Sequence, residues 1–220
     1  MTEADISGDP DSLLLKKQLL RKQVLEHIKS YLGEKGSREK DSLAALDFLV
    51  KSRIWQNAAS VFLFYATEFE IDTEPVIFEG INAGKSIFLP RIIKKGQMVF
   101  IRVWDKSCNV KKLPSLEKNR FGIMEPAMPE GGIMPVLPVS NDEIPVLVLV
   151  PGRAFTKNGE RLGLGGGFYD RYLKMIKEKI PSECLTFTGY CFNEQIVDYV
   201  PWESHDVKMD KILTPGGFIL

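Results

Sequence analysis

Two stretches of this chain, Val61-Phe62-Leu63-Phe64-Tyr65 and Pro145-Val146-Leu147-Val148-Leu149-Val150, are apolar on both parities. A strand with one wet face alternates between apolar and polar residues. A run apolar at odd and even positions alike fits a strand buried on both faces, as in a parallel sheet covered by helices. Parallel strands need crossovers of a dozen residues or more, so helices are expected between them. Leu20, Val24, Ile28 and Tyr31 recur at helical spacing, predicting a helix from Leu13 to about Leu32, capped by Asp11 and Ser12 and stopped by Gly33. Leu43, Leu46, Leu49, Val50 and Ile54 predict a second helix from Ser42 to about Asn57. After the first apolar run, Thr73 is a good helix cap, Pro75 is tolerated in a first turn, and Gly84 can close that helix. Short strands are expected at Ser86 to Leu89, 98–104 and Cys184 to Phe192, and a helix at about Gly167 to Ile180. The alternation reads as an α/β fold with a mostly parallel sheet, whose ligands belong at the carboxyl ends of the strands.

The 220 residues suit a single domain over 11–220, with residues 1–10 a polar, disordered arm. Residues 105–144, with seven prolines or glycines between Pro114 and Pro135, read as a long irregular excursion. Composition then removes several function classes. Lys plus Arg (29) equals Asp plus Glu (29), so no global charge draws the chain to nucleic acid or an anionic membrane. No apolar run approaches the roughly 18 residues of a membrane span. Three cysteines without a CxxC pair suit a reducing compartment, and the acidic start MTEADISGDP is unlike a leader, so the cytoplasm is expected. Two histidines exclude a multi-histidine zinc site, and no GxSxG elbow marks a serine hydrolase. Any chemistry must run on carboxylates, lysines, arginines and backbone.

The richest local signal is the segment from Pro151 to Arg171, which leaves a buried strand and enters a helix through Gly163, Gly165, Gly166 and Gly167. Glycines let backbone approach a ligand without Cβ interference, and a helix start adds unpaired N–H groups and the positive dipole end. Such a segment suits phosphate, although a glycine-rich turn chosen for tight geometry reads the same way. It lacks the GxxxxGK[ST] pattern of a Walker loop. Asp170 in the first helical turn can complement the dipole or hold Mg²⁺, with Asp206 or Asp210 as a second carboxylate. Lys17 and Arg21 share a helix face beside Lys16 and Lys22, either as a solvated stripe or as a clamp on polyphosphate. Glu70, beyond the first buried strand, is either a solvated loop acid or an acceptor for paired N–H donors of a heterocycle.

Together these pieces resemble the 5-formyltetrahydrofolate cyclo-ligase (methenyltetrahydrofolate synthetase) family from about Lys17 to Leu213. The resemblance rests on Lys17-x-x-Leu20-Arg21, Glu70-Ile71-Asp72-Thr73, Gly84-Lys85 with Leu89-Pro90, Gly122-Ile123-Met124-Glu125-Pro126, the Pro151 to Asp170 signature, Gln195 and Asp206-x-x-x-Asp210. It implies a three-layer α/β/α fold and a reaction in which Mg-ATP converts 5-formyltetrahydrofolate to 5,10-methenyltetrahydrofolate, ADP and phosphate. Phosphorylation turns the formyl oxygen, a poor leaving group, into phosphate, and the 10-nitrogen then closes the ring. The alternative is a folate-binding relative with lost or weak turnover.

Carried over by position, the resemblance implies ATP contacts at Lys17, Arg21, Arg161, Leu162, Gly163, Leu164, Gly165, Gly166, Gly167, Phe168 and Tyr169. It implies folate contacts at Tyr65, Glu70 and Leu164 to Phe168, the last stretch (Leu164, Gly165, Gly166, Gly167, Phe168) being shared by both substrates. Metal-binding carboxylates fall at Asp170 and Asp206, and catalytic roles at Lys17, Arg161 and Tyr169. The expected cofactors are ATP and Mg²⁺ and the expected partner a small folate, with no nucleic acid or membrane, acting on a monomer. The chain departs from the family pattern at Thr156, where aspartate is usual, at Phe168, where tyrosine is usual, and at Pro145, where aspartate is frequent.

Overall fold

The computed structural model of the protein describes residues 10–34, 37–108, 115–120, 122–128 and 141–220. Its centre is a seven-stranded sheet in the order β11-β10-β9-β6-β1-β2-β3. The strands are β1 (Ser60–Phe62), β2 (Ser86–Lys94), β3 (Gln97–Trp104), β6 (Val146–Val150), β9 (Leu185–Tyr190), β10 (Lys211–Thr214) and β11 (Gly217–Phe218). The four inner pairings, β10 with β9, β9 with β6, β6 with β1 and β1 with β2, are parallel. The outer strands β3 and β11 run antiparallel to their neighbours. The two doubly apolar runs are therefore the two central strands. Their parity sorts the core: Val61, Leu63, Leu147 and Leu149 face one layer, and Phe62, Val146, Val148 and Val150 the other.

On the first face lie α1 (Pro10–Glu34), α2 (Arg38–Lys51), α3 (Arg53–Asn57) and α4 (Glu74–Asn82), which bury Val24, Ile28, Leu49, Trp55, Ile77 and Ile81. On the second, α5 (Phe168–Lys177) buries Tyr172, Leu173 and Ile176 against Phe62, Phe100 and Phe187. This is the three-layer α/β/α arrangement. From β1 the chain builds outward through β2 to β3; from β6 it builds the other way through β9 to β10. The order reverses between β1 and β6, and a crevice at their carboxyl ends is the usual ligand site of an open α/β sheet.

Several boundaries differ from the expectations. Helix α1 already includes Pro10, so residue 10 is not part of an arm, and it runs past Gly33 to Glu34; residues 1–9 lie outside those described. The second helix starts early, because Ser37 caps Lys40 N, and divides at Ser52, whose extended backbone and hydroxyl cap Trp55 N at 3.3 Å. Thr73 makes no side-chain cap to α4. Its hydroxyl instead donates to Phe64 O at 2.7 Å, tying the helix start to the end of β1. The first apolar run is regular strand only to Phe62, with Leu63 N donating to Phe88 O beyond it. Strand β2 runs past Leu89 to Lys94 because it pairs along its length with β3, and α5 ends at Lys177, short of Ile180. The 105–144 excursion holds a small hairpin of β4 (Leu116–Lys118) and β5 (Met124–Pro126), although 109–114, 121 and 129–140 lie outside the described residues. A second hairpin, β7 (Ala154–Phe155) with β8 (Arg161–Leu162), projects from the end of β6.

Candidate active site

The chain leaving β1 supplies one wall of the central crevice. Phe64 and Tyr65 are followed by a turn in which Glu70 Oε2 accepts from Thr67 N at 2.8 Å and Thr67 Oγ1 at 2.9 Å. Arg38 of α2 braces this turn, donating to Glu70 O at 2.8 Å, Thr67 O at 3.2 Å and the Asp72 carboxylate at 3.1 Å. Glu70 is therefore a fixed group rather than a loose surface acid; its Oε1 makes no hydrogen bond among the described residues, and the Arg153 guanidinium lies within electrostatic reach of the carboxylate. It lines a mostly apolar recess with Tyr65, Ile92, Met98, Leu164 and Phe168. Burial first, and then the acids Glu74 and Asp72, hold the Tyr65 phenol above its ordinary pKa.

The chain leaving β6 supplies the opposite wall. The β7–β8 hairpin returns it to Arg161, whose side chain is only 3% exposed and donates to Pro151 O at 3.2 Å and Asp170 Oδ1 at 2.6 Å. Asp170 Oδ1 also accepts from Val207 N at 3.3 Å. Burial pushes the Asp170 carboxyl upward, but the Arg161 charge and hydrogen bond outweigh it, so the net shift is below the usual carboxylate range. Between these partners the glycine loop takes φ values of +103° at Gly165 and +61° at Gly167, a region that side chains rarely enter. Arg171 pins this loop to the β2–β3 turn, donating to Gly166 O at 2.5 Å and Gly96 O at 2.7 Å.

A second hollow, polar and cationic, lies across this loop. Lys17 and Arg21 reach it from α1, Arg171 and Lys174 from α5, and His205 and Asp206 from the segment before β10. Lys17 Nζ donates to Glu203 Oε2 at 2.7 Å and Asp206 Oδ2 at 3.0 Å, and Arg21 Nε to Gly163 O at 2.8 Å. Burial alone lowers the Lys17 amine, yet the two carboxylates prevail and hold it raised. Arg161, Gly163, Gly167 and Asp170 line both hollows and form the wall they share. Two buried polar atoms at this wall, Arg161 Nε and Tyr169 Oη, have no hydrogen-bond partner among the described residues. Burial, and then the Glu70 charge, push the Tyr169 phenol far up, so it is a neutral donor.

The structure thus brings every residue given a substrate, metal or catalytic role by the resemblance to one crevice, divided between two hollows, whereas Asp210, the alternative second carboxylate, lines neither and accepts instead from Phe187 N at 2.7 Å. Lys17, Arg21, Leu162, Gly165 and Asp206 line only the cationic one; Tyr65, Glu70, Leu164, Gly166, Phe168 and Tyr169 line only the apolar one. Asp170 and Asp206 both face the cationic hollow, each already paired with a cation. Glu203, His205 and Asp206 place one donor atom each within 4.8 Å of one another, and two oxygen-donor carboxylates there fit a hard cation such as Mg²⁺. Sequence reasoning passed over Glu203 and His205, although their spacing to Asp206 puts them in one turn, and over Arg171, the last residue of the Pro151 to Arg171 segment. Glu125, in the Gly122 to Pro126 stretch that carries part of the resemblance, also lines the apolar recess.

The sequence profile of the 5-formyltetrahydrofolate cyclo-ligase family matches residues 14–215. The chain belongs to the 5-formyltetrahydrofolate cyclo-ligase family. The mouse 5-formyltetrahydrofolate cyclo-ligase is 28% identical over 203 residues, covering 90% of this chain and 92% of the relative. That of Escherichia coli K12 is 32% identical over 161 residues, or 72% of this chain and 79% of the relative. The solution structure of Aquifex aeolicus 5,10-methenyltetrahydrofolate synthetase superimposes with a TM-score of 0.66 at 27% identity, covering 92% of this chain and 91% of that one.

Set against the cyclo-ligase pattern, the three departures fall into different places. Thr156 sits in the β7–β8 turn, where its hydroxyl bonds the Glu160 carboxylate and accepts from Asn158 N and Glu160 N, and it lines neither hollow. Pro145 lies at the start of β6, at the other end of the sheet, where its carbonyl accepts from Ala59 N. Only Phe168 is in the crevice. Its ring faces the apolar recess with the Arg171 guanidinium 5.8 Å from its centre.

Proposed function

We propose that this chain carries out the cyclo-ligase reaction itself, converting 5-formyltetrahydrofolate and ATP to 5,10-methenyltetrahydrofolate, ADP and phosphate with Mg²⁺. The observation that carries the reading is the shared wall: an apolar, carboxylate-bearing recess and a cationic hollow meet at Arg161, Gly163, Gly167 and Asp170. Phosphoryl transfer is mostly positioning and charge neutralisation, and it needs the donor phosphate and the acceptor oxygen to meet in one place. In this reading Glu70 accepts the paired N–H donors of the pterin and the recess excludes water from the formyl group. Lys17, Arg21 and the loop amides hold the polyphosphate. Arg161 Nε and Tyr169 Oη, buried donors at the wall without hydrogen-bond partners among the described residues, point to charge that develops during transfer. Asp206 and Asp170 would hold Mg²⁺, with Glu203 beside them; when bound, the ion supplies neutralisation of phosphate charge. The proposed setting is the cytoplasm, in keeping with three unpaired thiols, Cys108, Cys184 and Cys191, and the proposed working form is a monomer.

Absorbance of methenyltetrahydrofolate formed from 5-formyltetrahydrofolate, with and without Mg-ATP, tests the reading. Product that forms only with Mg-ATP, one ADP released per ring closed, is expected. Folate binding without product under any nucleotide would replace it with a folate-binding relative.

A further inference from the structure

The apolar recess contains a buried acid that the proposed reaction has not yet used. Glu125, on β5, is 4% exposed. Its Oε1 accepts from Ile92 N at 3.0 Å and Asn119 Nδ2 at 2.6 Å, which joins the β4–β5 hairpin to β2. No cation pairs with it among the described residues; the nearby Arg91 is taken by Glu117 and Pro126 O. Both hydrogen bonds end on Oε1, none among the described residues ends on the second oxygen, Oε2, and the side chain lines the recess. A carboxylate with one oxygen tied to the fold and the other without a protein donor can accept a donor that a ligand brings into the recess.

The chemistry has a matching need. In 5-formyltetrahydrofolate the 10-nitrogen carries one hydrogen; in the 5,10-methenyl product it carries none. Of the described acids lining the recess, Glu70 is held by Thr67 and assigned to the pterin, and Asp170 is bound to Arg161 and Val207 N. Tyr169 is a neutral phenol and cannot accept a proton. Glu125 remains.

Resting on the cyclo-ligase reading, we propose that Glu125 is a further catalytic residue, the base that takes the proton from the 10-nitrogen as the ring closes. The lone pair of that nitrogen forms the new bond to the formyl carbon, and its proton passes to Glu125 Oε2. The carbon–oxygen bond to the phosphorylated oxygen then breaks, its electron pair leaving with phosphate, and the amidinium of the product remains. Glu125 returns the proton to water when the product departs.

Glu125→Gln is the informative change, because an amide oxygen can still accept from Ile92 N and Asn119 Nδ2 while the base is lost. We expect an unchanged melting midpoint and a folate KM within about threefold. We also expect a kcat lower by about a hundredfold, with ADP still released in a first-turnover burst ahead of methenyl absorbance. Glu125→Asp, which keeps a carboxylate but draws it back from Ile92 N, should retain more turnover than the Gln variant. An unchanged kcat in Glu125→Gln would mean that phosphate or water takes the proton, and would overturn the proposal. So would a loss matched by a lower melting midpoint or a raised folate KM, or greater activity in Gln than in Asp. Absence of turnover in the unmodified protein would instead remove the cyclo-ligase reading, and the role of Glu125 with it.

Discussion

At the scale of single residues, the site is built from charges that the protein has already partnered on one side and left open on the other. Lys17 is gripped by Glu203 and Asp206, yet it still lines the cationic hollow. Arg161 has two of its nitrogens committed and its Nε open. Glu70 follows the same pattern, with Oε2 spent on Thr67 and Oε1 open to the recess. A carboxylate fixed in this way loses little further freedom on binding, so its bonds to a ligand are worth more than those of a loose acid. Replacing Glu70 with Gln keeps the size but exchanges one acceptor oxygen for a donor, which then opposes an N–H of the pterin. A loss of about 1 to 3 kcal/mol in folate affinity is expected, with ATP affinity little changed. Calorimetric titration of 5-formyltetrahydrofolate into both proteins checks this, and equal affinity would remove Glu70 as the folate anchor.

At the scale of elements, the glycine loop depends on neighbours from three parts of the chain. Arg21 of α1 holds Gly163 O, and Arg171 of α5 holds Gly166 O and the β2–β3 turn at Gly96 O. Backbone carbonyls are thereby tied back by guanidinium groups. At Gly165 the φ of +103° is the constraint, for a Cβ there would find nothing closer than Arg21 at 3.5 Å. Space is available but the backbone angle is not, and a branched side chain resists it most. Gly165→Val should therefore raise the apparent ATP Kd at least tenfold while the folate recess, which Gly165 does not line, binds nearly as before. Paired titrations with a non-hydrolysable ATP analogue and with 5-formyltetrahydrofolate read the two effects. Equal loss of both would show that the loop is one rigid unit.

At the scale of the whole molecule, the Arg161–Asp170 pair links the end of β6 and the β7–β8 hairpin to the first turn of α5, and Val207 N adds the segment before β10. The pair is nearly buried, and the folded pKa of Asp170 lies below that of an unfolded aspartate. In the window between those values the unfolded chain binds the extra proton, so stability rises with pH there. The contribution is fully present above about pH 4 and is lost as pH falls through the folded value. Melting midpoints followed downward from about pH 5 should therefore fall less steeply in Asp170→Asn than in the unmodified protein, from a lower starting stability. Parallel curves would show that other depressed acids, among them Asp105 and Glu160, carry the acid sensitivity.

The local pattern determined the fold class, because a run apolar on both parities has only one comfortable place, between two helical layers, and Val61 to Tyr65 and Val146 to Val150 are such runs. It also carried the glycine signature and the Lys17–Arg21 face, both of which depend on residues close together in the chain. What the tertiary structure decided depends on groups far apart. Strand order puts the end of β1 beside the end of β6, and only this brings Glu70 and Arg161 into one crevice. The two-residue strands β7 and β8 are too short to show a period, yet they aim Arg161 at Asp170. Ser52 divides a helix whose apolar spacing runs on unbroken, since its hydroxyl satisfies backbone groups on both sides. Glu125 belongs to a stretch that carries the family resemblance without a role, and only when β5 folds against β2 does it come to line the recess. Periodicity reports which face a residue shows; which partner waits there is set by the register and order of elements that meet only in the folded chain.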